Sequence, residues 1–119
     1  MTEQNGNQRL ANYQHTLDMM GELGKAIPQT MGAFNRLHHA AVAEGALSFK
    51  VKELMALCIG ITVRCDGCIM YHVNESMKAG ATYEEIVETI GVAVMMGGGP
   101  SVMYGSEALA ALDLLQEQS

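Results

Sequence analysis

Apolar residues recur every three or four positions along most of the chain, and glycine, proline and capping residues cut that rhythm at regular intervals. No stretch alternates convincingly at every second residue, so the pattern predicts an all-α protein of five to six helices. The first helix is expected from Leu10 to Leu23, with Leu10, Tyr13, Leu17, Met20 and Leu23 on one face and Gly24 as its stop. Pro28 opens a second, to about Ala43, with Gly45 beyond its end. Ser48 caps a third, from Phe49 to about Val63, whose apolar stripe is Val51, Leu54, Met55, Cys58 and Ile61 or Thr62. The turn Arg64-Cys65-Asp66-Gly67 leads into a fourth that ends near Ala79, before Gly80 as a left-handed terminator. Thr82 and Glu85 have the spacing of a capping box and start a fifth toward Met96. Gly97-Gly98-Gly99-Pro100 then breaks the chain, and Pro100 begins the last helix, to about Gln116.

At 119 residues the chain is expected to form one helical domain over 10–119, after a flexible polar stretch over 1–9. A formal charge of −6 with only seven Lys and Arg argues against nucleic acid or an anionic membrane as partner, since both require a basic face. Residues 1–8 lack the apolar centre of a signal peptide, and the longest uncharged apolar run, Leu54 to Val63, is about half a membrane span. The expected setting is soluble and cytoplasmic. Ten methionines and no tryptophan describe an adaptable core. Met55, Met70, Met77, Met95 and Met96 are expected around the cysteines, as core or as a shallow surface for subunit contacts. Helices as apolar as the third and fifth favour a homo-oligomer joined through helix faces.

The chemistry concentrates between Glu53 and His72. Cys65 and Cys68 are three apart, close enough to close a disulfide across one helical turn, and His72 follows Cys68 by four on the same helix face. Side chains lean toward a helix N-terminus, so His72 is expected to hang over Cys68 as its base. Cys65 is seven residues from His72, roughly 10 Å of rise, too far for a direct hydrogen bond. Both thiols stand at a helix start, where free N–H groups and the dipole favour a thiolate. Cys68 is accordingly the thiolate that meets substrate and Cys65 the resolving thiol. Three cysteines in a cytoplasmic chain do not make a structural disulfide framework, and Cys58, in Leu57-Cys58-Ile59-Gly60-Ile61, reads as a small inert apolar residue.

Glu53, eleven residues, Cys65-x-x-Cys68, three residues, His72, followed by Lys78-Ala79-Gly80-Ala81-Thr82-x-Glu84-Glu85-Ile86, resembles the AhpD-like alkylhydroperoxidase branch of the carboxymuconolactone decarboxylase superfamily. The resemblance covers about residues 47–104. It implies an all-helical fold assembled as trimers or hexamers, and a peroxidase that works through a cysteine pair and a Glu–His proton relay. Cys68 then corresponds to the peroxide-attacking thiol, Cys65 to the thiol that closes the disulfide, His72 to the base and Glu53 to its relay partner. No cofactor beyond the redox-active pair is implied. Substrates would be a small hydroperoxide or a disulfide, with a dithiol or protein as electron donor. Between the cysteines stand Asp66 and Gly67, where some members carry a second relay histidine. A plain hairpin about residues 64–67 sets His72 opposite Cys58 and leaves Glu53 roughly 7 Å further along, so the Glu53–His72 contact is implied by resemblance and not by register.

Other readings remain open at this stage. Cys65, Cys68 and His72 are zinc-ligand types, with Glu53 as the one group able to complete a closed site. They are also compatible with a purely structural role. His15, His38 and His39 read as surface or helix-packing residues, and Tyr71 and Tyr104 as packing-edge tyrosines more than as hydroxyl donors to a substrate. The alternative functions are a lactone decarboxylase like the superfamily's namesakes, whose sites are typified by polar acid–base groups, and a non-enzymatic oligomeric redox-sensing module.

Overall fold

The computed structural model describes residues 3–118. Its elements are six helices, and no strand occurs among the described residues: α1 (Glu3–Ala26), α2 (Pro28–Val42), α3 (Phe49–Thr62), α4 (Asp66–Lys78), α5 (Tyr83–Gly97) and α6 (Gly99–Gln118). They gather into two compact units, Met1–Ala46 and Leu47–Ser119.

The first unit holds α1 and α2, packed on each other. α1 begins at Glu3, seven residues before the expected Leu10. It also runs through Gly24 to Ala26, because a glycine with open space around it costs a helix only about 1 kcal/mol. The effective stop is Pro28: the residue before a proline is driven out of helical conformation, and Ile27 sits at φ −133° and ψ 65°. The expected α1 face is not buried, for Met20 and Leu23 remain about half exposed, and α2 has no buried residue.

The second unit packs α3 against α4, α5 and α6, with α6 also against α4 and α5. Its core is Leu57, Ile61, Ile69, Met70, Val73, Ile86, Ala93, Ala108, Ala111, Leu112 and Leu114. The element starts follow the capping signals. Ser48 Oγ accepts from Val51 N–H at 3.1 Å, and Thr82 and Glu85 exchange the two bonds of a capping box at 3.1 and 2.8 Å. Lys50 Nζ donates to Glu85 Oε2 at 2.9 Å and ties the first turn of α3 to that of α5. Gly80, at φ 95°, ends α4 as expected. The last break is shorter than expected: α5 includes Gly97, Gly98 alone lies between the helices at φ 71°, and α6 takes Gly99 as well as Pro100. Gly105 allows α6 to close on α5, since a methyl there would lie 2.9 Å from Ile90 Cγ2.

One expected face is corrected, and the methionines divide between the two alternatives expected of them. The buried face of α3 is Glu53, Leu57, Gly60 and Ile61, whereas Val51 and Met55 of the expected stripe are 37% and 48% exposed. α3 is apolar on nearly every side, so periodicity alone could not select the face that packs. The methionines around the cysteines are core only at Met70; Met95 and Met96 are among the most exposed apolar residues of the protein.

Candidate active site

The corner between α3 and α4 is built by one residue in an unfavourable conformation and one that serves both helices. Arg64 takes the left-handed region at φ 62°, a position more often given to glycine, while the glycine of the expected turn, Gly67, lies inside α4. Arg64 N–H bonds Ile61 O at 3.1 Å and Cys65 N–H bonds Gly60 O at 3.0 Å, the paired pattern that satisfies the last carbonyls of a helix. Cys65 is at the same time the cap of α4: its Sγ accepts from Cys68 N–H at 3.3 Å. The two cysteines are joined as a disulfide, with Cα atoms 5.2 Å apart, and both are partly exposed.

Gly60 sets how closely the corner folds back. A methyl at Gly60 would lie 3.3 Å from Cys68 Cβ and 3.8 Å from the backbone of Cys68 and Ile69, so the start of α4 rests directly on α3. Extending that pairing along two antiparallel helices puts His72 opposite residue 56 instead of Cys58. Glu53 is then three residues off, about 4.5 Å of rise, which a glutamate side chain spans. Glu53 Oε2 meets His72 Nδ1 at 2.7 Å, a contact that hairpin register alone does not supply.

This pair is deep, with the side chain of Glu53 1% exposed and that of His72 15%. A carboxylate has no proton to give, so with Glu53 ionised the imidazole donates from Nδ1, which fixes the tautomer and leaves Nε2 as the basic nitrogen. Tyr71 stands edge-on to the imidazole, its ring centroid 4.9 Å away and the planes at 87°. Burial pushes the Tyr71 phenol above its usual range, and the nearby carboxylates of Glu75 and Glu53 push it further. Cys58 is the free cysteine of the chain; it is half-buried, and burial raises its thiol pKa, in keeping with an inert residue.

The structure therefore brings Glu53 to His72 and Cys65 to Cys68, with His72 one helical turn beyond Cys68 on α4. Among the described residues no group of three or more His, Cys, Asp or Glu is placed to hold a metal ion. His15, His38 and His39 lie on α1 and α2 in the other unit, where His38 and His39 touch edge-on at 5.8 Å. Sequence reasoning missed the backbone that supports the site: Gly60 and Arg64 carry no reactive group, and Gly60 inside an apolar run was the one available signal. No described helix is long and apolar enough to cross a membrane.

Residues 28–111 match the family model of the carboxymuconolactone decarboxylase family. An uncharacterized protein of Cupriavidus necator is 40% identical over 95 residues, which are 80% of this chain and 84% of that one. Among solved structures, the ligand-free form of a carboxymuconolactone decarboxylase family protein from Legionella pneumophila superposes with a TM-score of 0.86 at 39% identity, covering 90% of this chain and 96% of that one. A family protein from Thermotoga maritima, linked provisionally to an antioxidative response, gives 0.71 at 34% identity, covering 76% and 93%.

Proposed function

The chain belongs to the carboxymuconolactone decarboxylase family, and on that premise we propose that it is a thiol-dependent oxidoreductase, reducing a small hydroperoxide or a disulfide through Cys65 and Cys68. The observation that carries this reading is the pairing of a closed Cys65–Cys68 disulfide with an imidazole held by a buried carboxylate one turn further along the same helix. A polar acid–base lactone site has no use for that cysteine pair.

In the reduced protein, His72 Nε2 takes the Cys68 thiol proton, and Glu53 stabilises the imidazolium through Nδ1. The Cys68 thiolate attacks the terminal oxygen of the hydroperoxide, the O–O bond breaks, and the alkoxide leaves as an alcohol with the proton returned by His72. Cys68 is then a sulfenic acid. Cys65 attacks its sulfur, expels hydroxide, which leaves as water with the Cys65 proton, and closes the disulfide. An external dithiol reopens it by two exchanges and is itself oxidised to a disulfide. A reducing cytoplasm supplies such a donor. The protein acts as a homo-oligomer, a trimer or hexamer by family resemblance.

The test is hydroperoxide consumption coupled to a dithiol, with peptide mass mapping of alkylated thiols before and after a stoichiometric pulse. The expected result is turnover lost in Cys68→Ser, and a Cys65–Cys68 bridge with Cys58 reduced. Lactone turnover that survives replacement of both cysteines would overturn the reading in favour of the namesake activity, and absence of either turnover would leave a redox-sensing module.

A further inference from the structure

We propose that the dithiol reopening the bridge attacks the sulfur of Cys68, and that Cys65 is the thiolate that leaves. The inference rests on the reading of the pair as redox-active and adds to it which sulfur receives the reductant. Cys65 Sγ accepts the Cys68 backbone N–H at 3.3 Å from the cap of α4, where unpaired N–H groups and the helix dipole favour negative charge. Cys68, three residues further on, accepts no such bond among the described residues. In thiol–disulfide exchange the sulfur whose thiolate is better stabilised leaves faster. A hydrogen bond to a neutral sulfur strengthens as that sulfur becomes a thiolate, so the Cys65 side gains most when the bridge parts. The charged neighbours of Cys65 do not undo this: Arg64 and Asp66 are opposite in sign, and both are exposed to solvent, which screens them.

Electrons and protons balance with one role for each sulfur. The first donor thiol passes its proton to His72 and bonds to Cys68 as the Cys65–Cys68 bond breaks, and Cys65 departs as a thiolate held by the N–H. The donor's second thiol then attacks the donor sulfur bound to Cys68 and closes the donor's own disulfide. Its proton goes to Cys65, while Cys68 leaves and takes back the proton on His72. The pair gains two electrons and the donor loses two. Cys68 is thereby the electrophilic sulfur in both halves of the cycle: Cys65 attacks it to close the bridge and leaves it when the bridge opens. Both events need Cys65 as a thiolate, which is the form its place at the cap favours.

The experiment opens the oxidised full chain with glutathione and uses no hydroperoxide, so missing peroxidase turnover would sink the proposed function and leave this inference standing. The reaction is quenched in acid at early times, the freed thiol is alkylated, and trypsin releases residues 65–78, which hold both cysteines, between Arg64 and Lys78. Fragmentation of that peptide shows which sulfur carries glutathione. The expected product bears glutathione on Cys68 and the alkyl label on Cys65, in roughly 2- to 5-fold excess over the reverse, the worth of a charge at a helix N-terminus. An even split, or an excess on Cys65, would overturn the proposal. Thiolate absorbance gives a second reading in the Cys68→Ser protein with Cys58→Ala added. Cys65 is expected to titrate below the ordinary value of about 8.5 and to stay there when His72→Ala is introduced. A Cys65 that titrates at or above that value, or that follows His72, would overturn it as well.

Discussion

Glu53 is the residue at which local rules and the fold disagree most. A carboxylate on the packed face of an apolar helix, 1% exposed and in line with Leu57, Gly60 and Ile61, is stable there because the His72 imidazole meets it. Removing the imidazole by His72→Ala is expected to slow Cys68 alkylation near neutral pH by up to roughly 10²- to 10⁴-fold, the usual worth of a positioned base, while Cys65 keeps its rate. Peptide-resolved alkylation from pH 6 to 9 measures this, and an unchanged Cys68 would make His72 structural. Ser76 is the opposite case, a fully buried side chain whose hydroxyl has no hydrogen-bond partner. An unmade bond costs about 1–3 kcal/mol, more than the contacts of one hydroxyl oxygen return, so Ser76→Ala is expected to raise the denaturant midpoint by the equivalent of about 1 kcal/mol. A midpoint lowered by as much would mean that a water or another group satisfies Ser76.

Among the elements, the α3–α4 corner holds its shape against the preference of Arg64, whose left-handed backbone costs an L-residue about 1–2 kcal/mol. Arg64→Gly relieves that cost, less the extra freedom glycine gains on unfolding, and is expected to stabilise the protein by about 0.5–1 kcal/mol in chemical denaturation. The α5 start predicts an acid dependence. The Thr82 backbone N–H and then the Lys50 ammonium hold the Glu85 carboxyl below its ordinary value of 4.5. A depressed carboxyl contributes stability above its unfolded pKa, and that share fades as pH falls from about 4.5 through the lower folded value. Glu85→Gln should flatten the stability profile over that window and leave neutral-pH redox chemistry unchanged; an identical acid profile would count against it. The ends of α3, α4 and α5 were legible from Ser48, Gly80, Thr82 and Glu85 because caps act over three or four residues. The face of α3, the turn at Arg64 and the Glu53–His72 register were not, since each depends on what α4 presses against, and no local pattern records that.

For the whole molecule, the open question is what covers its apolar surface. Val51, Met55 and Ile59 of α3 and Val63 just past its end recur every fourth residue and are 37%, 48%, 60% and 63% exposed, and Met95 and Met96 of α5 exceed them. A face of this kind on a small chain is expected to pair with further copies. Light scattering at micromolar concentration should give at least twice the chain mass, and Ile59→Glu should lower it; a clean wild-type monomer would remove the oligomer from the proposal. The all-helical class was readable from periodicity, but the slight burial of α2 was not, because a helical hairpin that buries little carries the same apolar rhythm as one that buries much. Gly60 shows a related blindness in the way active sites are catalogued. What position 60 contributes is vacancy: a missing methyl lets two helices touch, and the contact between a carboxylate on one and an imidazole on the other lies along that touch. An inventory ranked by reactive groups would pass over it, whereas one ranked by the room each residue leaves to others would begin there.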